Sequence, residues 1–313
     1  MVIASPVLTQ NQIMKVSVMK RNKGKAVVFF VPFMVCFILF WGVPLVYGFY
    51  VSLHNMSLTK GNRGFVGLDN YIALFDPGSI YSKEFLRALK NTLIFVVISV
   101  PLLVGIALIL ALIIDALPQR VKGIFRTIFF MSYSISVTAV AAVFLWLFNS
   151  NGGYVNNILS RHIYWLEKQP NAWIALTIAT VWWTVGYNMM LLINGLNEID
   201  TVLFEAASVD GANYGAKLKY IILPAIKNVT SYVLLTSIIA YFNMYGQSNL
   251  ITKGGPAQST ETLIMTISDI IMKRNNLGIG SAMAIMMGGV VMAFAFAQNR
   301  LNAERKEIQE LEQ

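Results

Sequence analysis

Residues 91–114 read NTLIFVVISVPLLVGIALILALII, with no Asp, Glu, Lys, Arg or His among them. At 1.5 Å per residue a helix of that length runs roughly 36 Å, enough to cross a hydrocarbon core of about 30 Å. It is apolar on every side, so it needs lipid or other apolar helices all round it rather than water on one face. The same criterion marks 26–53, 127–148, 172–196, 228–251 and 277–299, which makes six windows in all. A charge at mid-bilayer costs roughly 2.5–3.5 kcal/mol on insertion scales, so six clean windows in one chain are a selected pattern. We expect an all-α membrane protein of six transmembrane helices. Its single membrane domain covers 26–300, between tails 1–25 and 301–313. Pro32, Pro44 and Pro101 fall inside these windows and are compatible with them, because neighbouring helices and hydroxyls can satisfy the carbonyls that proline frees.

The composition agrees: 56% of the 313 residues are hydrophobic and 12% charged. The net charge of +9 would raise the question of nucleic acid in a soluble domain, but the basic residues sit in the connections, where membrane topology accounts for them. Lys15, Lys20, Arg21, Lys23 and Lys25 form a basic knot before the first window, which is about twice the length of a signal-peptide core and lacks a small-x-small cleavage site. The window is therefore expected to stay as a helix. Six spans place both termini on one side. That side and its two connecting loops hold 14 Lys and Arg against 10 on the other, so the positive-inside rule makes the termini cytoplasmic. Beyond the membrane, Gly254-Gly255-Pro256 signals a turn, and 262–272 suits a short interfacial helix.

Several chemistries lack their residues. There is no phosphate-cradling G-x-x-x-x-G-K-[ST] loop, so the chain cannot use ATP alone. Cys36 is the only cysteine, and His54 and His162 have no ligand-type neighbours at metal spacing, so no metal site or other cofactor is expected here. A proton- or sodium-coupled carrier usually places ionisable groups in its spans, and a membrane enzyme needs a nucleophile and base or a metal; neither set is present.

Between the fourth and fifth windows the chain reads Glu205-Ala206-Ala207-Ser208-Val209-Asp210-Gly211, and Ile221-Ile222-Leu223-Pro224 follows. Residues 202–209 can form a short helix with a small-residue surface at Ala206-Ala207, and Gly211 can supply the left-handed backbone that ends it. Pro224 would sit in the first turn of span five, so that loop and span move together. The spacing E-A-A, three residues, G, nine residues, I-x-L-P resembles the EAA loop of ABC import permeases. Further likeness at Val66-Gly67-Leu68-Asp69-Asn70-Tyr71, Phe125-Arg126-Thr127, Gly186-Tyr187 and Thr252-Lys253-Gly254-Gly255-Pro256 extends it over nearly the whole chain, toward the carbohydrate-uptake branch with its maltose, glycerol-phosphate and multiple-sugar permeases.

That resemblance implies a type I ABC importer permease fold in which the 197–224 loop carries a cytoplasmic coupling helix. Glu205, Ala206, Ala207, Asp210, Gly211, Leu223 and Pro224 would couple it to an ATP-binding subunit. It further implies a second homologous permease, two ATP-binding subunits that hold ATP and Mg, and an extracytoplasmic solute-binding protein met by Gly254, Gly255 and Pro256. Alignment with the branch's sugar-contacting positions points to Tyr133, Val137, Trp182, Val185, Met189, Tyr241 and Met244. From chemistry alone, amides, phenols and flat rings of spans three to five suit a sugar, among them Tyr133, Trp182, Trp183, Tyr187, Asn188, Tyr241, Asn243, Tyr245 and Gln247. Asn188 and Asn243 are expected to be buried and to need partners. The small residues of span six, from Gly278 to Gly289, read as a packing surface toward a second permease. The expected function is ATP-driven import of a sugar or oligosaccharide. A glycerol-phosphate or polyol permease, an ion-coupled carrier and a membrane enzyme or scaffold are the alternatives.

Overall fold

The computed structural model describes residue 28 and residues 30–311, the last of these, 301–311, as backbone. The basic knot, residues 1–25 and the start of the first window lie outside the described residues. Four helices are long and apolar enough to cross a bilayer: α1 (Phe30–Ser52), α3 (Ile80–Asp115), α7 (Asn171–Asn197) and the Leu277–Arg300 part of α12 (Leu277–Leu311). Two bent pairs could each make one more span. They are α4 (Gln119–Ser134) with α5 (Val137–Leu147), and α9 (Tyr214–Ala225) with α10 (Lys227–Phe242). Shorter elements are the hairpin β1 (His54–Ser57) and β2 (Gly61–Phe65), α2 (Asp69–Ile72), α6 (Tyr154–Leu159), α8 (Thr201–Val209) and α11 (Leu263–Met272).

The centre is the packing of α3 on α7. On α3, Val96, Val100, Leu103, Ala107, Ala111 and Ile114 recur every three or four residues and are all buried, a single helical stripe. Ala175 and Ala179 of α7 are fully buried in the same cluster, and small residues of this kind let backbones approach closely where apolar burial alone gives no preference over lipid. Ser99 and Thr177 share a hydrogen bond of 2.9 Å across the contact. Pro101 lies within α3 on its exposed side, as the sequence allows.

The windows differ from the helices in four places. Helix α3 starts well before residue 91: Ser79 caps it by accepting from the Tyr81 N–H, and its first three turns are polar. The charge-free criterion excluded them because they carry charges, and two of these, Glu84 and Arg87, are paired with distant residues. Glu84 takes both terminal nitrogens of Arg274 at 2.8 Å, Arg87 meets Glu261 at 2.9 Å, and Asn91 donates to the carbonyls of Gln258 and Glu261. Hydrogen bonding to Glu84 holds the Arg274 guanidinium above its ordinary pKa. With Phe85, Leu74, Leu263 and Ile270 buried beneath them, these pairs fasten α3, α11 and the start of α12 into one cap, to which Asn275 adds a bond with Thr59 of the hairpin connection.

The third window is not one rod, for α4 and α5 meet at 95°. Ile135 is extended, and Ser136 restarts the chain as a helix by capping the Ala139 N–H. The Ile135 carbonyl thus freed accepts from the Trp183 indole at 2.9 Å. The fifth window is broken at both ends. A 63° bend at Ile226 leaves Pro224 one turn before α10, not in its first turn, so the expectation of one continuous loop-and-span element is corrected. At the far end α10 stops at Phe242, and a π-helical turn over Ser248–Thr252 follows.

The glycines of span six also divide. A Cβ on Gly278 would lie 2.4 Å from the His54 carbonyl oxygen, and one on Gly280 would lie 2.3 Å from Ile271 Cγ1, so both pack within this chain. Gly288 and Gly289 face open space.

Candidate functional site

The two breaks adjoin, and a cavity opens between them. Gly246, where the chain resumes after α10, lies so close to the start of α5 that an added Cβ would sit 2.9 Å from Val137 Cγ2. The cavity has a volume of about 340 Å³. Tyr133 and Val137 come to its wall from the α4–α5 break, and Thr180, Trp183 and Thr184 from one face of α7. The rest of the wall is Ala240 to Gln247 without Phe242. Aromatic order is strong here: Tyr133 stacks on Tyr187 with centroids 4.9 Å apart and leans on Trp183 at 6.0 Å. Tyr241 is almost fully buried, stacks on Phe95 at 5.3 Å and bonds through its hydroxyl to Thr184 at 2.9 Å.

Of the residues singled out for a solute pathway, Tyr133, Val137, Trp183, Tyr241, Asn243, Met244, Tyr245 and Gln247 are brought together on this wall. Five are not. Tyr187 stands behind the wall against Tyr133. Trp182 points to the other face of α7, 44% exposed and edge-on to Phe144, in line with exposed Ile174 and Ile178. Val185 and Met189 are buried in the helix core. Asn188 is buried and accepts from Ser237 at 3.2 Å while donating to the Thr184 carbonyl, so it ties α7 to α10. Asn243, expected to be buried, is exposed, and its amide nitrogen is bonded to the Ile239 carbonyl. Thr180, Thr184, Ala240 and Gly246 were passed over. The signal for the threonines was their spacing with Trp183 and Tyr187, which puts all four on one helical face.

A second feature lies beyond the far end of α7. Asp200 caps α8 by accepting from the Val202 N–H at 2.9 Å. At the other end Gly211 has φ +77°, the Ala212 N–H reaches back to the Ala207 carbonyl and the Gly211 N–H to that of Ser208, which is a Schellman closure. Phe204 turns inward to a small cavity of about 130 Å³ that it shares with Asp115 of α3 and Tyr214 of α9. Glu205, Ala206, Asp210 and Gly211 are exposed and Ala207 half-buried. Leu223 and Pro224 are exposed too, and Val202, Leu203 and Val209 display large apolar surface, Val209 being 88% exposed. Gly254, also left-handed, is buried in a loop braced by Thr252–Thr260 and Thr260–Gly255 hydrogen bonds, with Gly255 and Pro256 half-buried beside it.

Bent apolar helices around a polar, uncharged cavity, with a capped apolar helix exposed beyond the membrane-length segments, define a helical membrane permease. The chain belongs to the family of binding-protein-dependent transport system inner membrane components, which it matches over residues 107–307. It is similar to the sn-glycerol-3-phosphate transport system permease protein UgpA of Agrobacterium fabrum (strain C58 / ATCC 33970), at 30% identity over 92% of this chain and 98% of that one. The arabinooligosaccharides transport system permease protein AraP of Bacillus subtilis (strain 168) is 27% identical over 91% and 90%. Among solved structures, a chain of a bacterial ABC transporter involved in the import of the acidic polysaccharide alginate shares the fold, with a TM-score of 0.77 and 20% identity over 92% of this chain and 99% of that chain.

Proposed function

We propose that the chain is one half of the translocation pathway of an ATP-driven importer for a sugar or oligosaccharide, working by alternating access. It crosses the membrane six times, with each bent pair as one span and both termini in the cytoplasm. Its α8 docks on one of two ATP-binding subunits, which hold ATP and Mg. A second homologous permease completes the pathway, and the Gly254-Gly255-Pro256 loop meets an extracytoplasmic solute-binding protein. The observation that carries this reading is the cavity between the two helix breaks, where phenols, amides and indole meet in a wall with no Asp, Glu, Lys, Arg or His. Helix breaks at membrane depth are tolerated where they line such a cavity. The coupling role rests on the exposed Glu205, Ala206, Ala207, Asp210, Gly211, Leu223 and Pro224 surface, whose apolar area suits a protein partner.

A test is ATP-dependent uptake by the assembled importer in proteoliposomes. Tyr133→Ala and Tyr245→Ala, at half-exposed rings on the wall, are expected to lower saccharide uptake about tenfold while leaving assembly intact, as loss of a stacking face and a hydroxyl partner implies. Tyr241→Ala is a poorer probe, because its buried ring also supports Phe95. Unchanged uptake in both exposed-site variants would move the pathway away from this cavity.

A further inference from the structure

Most polar groups on the cavity wall are already engaged. The Thr180 and Thr184 hydroxyls donate to carbonyls one turn back, the Trp183 indole donates to Ile135, and the Asn243 amide nitrogen is bonded to Ile239. Gln247 is different. It is only 6% exposed, it lies on the wall, and its carboxamide has no hydrogen-bond partner among the described residues. Its position follows from the break in span five: the chain resumes at Gly246, pressed against Val137, and the next side chain is held at the place where the two broken spans meet. A carboxamide held in this way keeps its polar atoms open to the cavity and unpaired by the described residues, so an arriving ligand can take them in place of water. It offers two N–H donors and one acceptor in a fixed plane, which matches a pair of neighbouring hydroxyls. The phenols of Tyr133 and Tyr245 stand on the same wall, and neither has a hydrogen-bond partner among the described residues.

The wall holds no counter-ion. A phosphate or carboxylate entering it would give up hydration with no opposite charge among the lining residues in return, and the Lys273 ammonium, the cation within electrostatic reach of Tyr245, is already held by Asp269 at 2.8 Å. The start of α5 at Val137 provides only the partial positive charge of a helix end, and Ser136 already occupies the Ala139 N–H there. A hydroxyl oxygen can use such a field; a full negative charge is not neutralised by it.

We propose that Gln247 is the specificity-determining residue of this cavity, that its carboxamide reads a pair of adjacent hydroxyls, and that the solute it takes is a neutral saccharide rather than a sugar or polyol bearing phosphate or carboxylate. The proposal rests on the reading of the cavity as the solute pathway. It separates two cargo chemistries that the general architecture leaves together.

The test uses the purified importer complex without its binding protein, titrated with radiolabelled lactose, raffinose and sn-glycerol 3-phosphate in equilibrium dialysis, with the fluorescence of Trp183 on the wall as a second readout. The wild-type complex is expected to bind a neutral saccharide at least about tenfold more tightly than sn-glycerol 3-phosphate. Gln247→Leu should weaken saccharide binding about tenfold or more, and Gln247→Asn should keep part of it. The near-isosteric Gln247→Met, which loses both the donors and the carbonyl acceptor and keeps the shape, should weaken saccharide binding as the leucine variant does. It serves as the deciding variant if leucine prevents assembly. Equal saccharide affinity in wild type, Gln247→Leu and Gln247→Met would overturn the role of Gln247. Tighter binding of sn-glycerol 3-phosphate by the wild type would overturn the neutral cargo while leaving an importer pathway at this cavity. Absence of binding by all three solutes would overturn the pathway reading itself, and the proposal with it.

Discussion

Gly186→Ala is expected to remove the folded permease. A Cβ at residue 186 would lie 2.0 Å from the Phe129 carbonyl oxygen, 2.5 Å from its carbon and 2.9 Å from the Phe130 Cα. All three are backbone atoms, so no side-chain rotation can relieve the overlap, and α7 must move off α4. That movement would also pull Trp183 from the Ile135 carbonyl and Ser132 from the Trp183 carbonyl, the bonds that satisfy the break in span three. The loss should exceed about 3 kcal/mol, at the top of the range for overpacking. Thermal melting of the purified protein in detergent checks it. Gly288→Ala, with nothing within 4 Å of the added carbon, should melt like the wild type. Similar melting temperatures for wild type and Gly186→Ala would mean that α4 and α7 are not packed as described.

Gly211→Pro is expected to leave the protein inserted but uncoupled. Proline fixes φ near −65°, whereas Gly211 stands at +77° and gives its N–H to the Ser208 carbonyl, so the closure of α8 is lost without disturbing a long helix. Glu205→Lys reaches the same end by another route, reversing charge on an exposed side chain that has no hydrogen-bond or ion-pair partner among the described residues. Both should lower ATPase activity stimulated by loaded binding protein at least about tenfold, with normal membrane content. Gly211→Ala, which strains one residue by roughly 1–2 kcal/mol, should fall between. Full stimulation in Gly211→Pro and Glu205→Lys would remove α8 from the coupling path.

The helices were legible where a single local rule decides them. Lack of charge found the apolar part of every long helix, and Gly211 marks the end of α8 because a left-handed stop is written in a single residue, whereas the Asp200 cap was passed over. The breaks were not legible. Ile135-Ser136, Ile226 and Asn243 lie in apolar surroundings that also suit a continuous helix, and the partners that stabilise them, such as the Trp183 indole at Ile135, come from distant sequence. The polar start of α3 was missed for the related reason that Glu84 and Arg274 are paired across 190 positions. Within the cavity, alignment favoured Trp182, while helical rotation puts its neighbour Trp183 on the wall. One residue is 100° of turn, more than the spacing of aromatic residues can resolve.

Coupling of uptake to ATP requires that the two ends of the molecule face opposite compartments, with α8 on the cytoplasmic side. With Cys36 replaced by serine, single cysteines are placed at Val209, 88% exposed on α8, and at Lys60, exposed in the hairpin connection. Each variant is treated with a membrane-impermeant maleimide in spheroplasts. The cysteine at 60 is expected to react at once, and the one at 209 only after the membrane is opened. Labelling at 209 in sealed spheroplasts, with 60 protected, would contradict both the topology and the docking of α8 on an ATP-binding subunit.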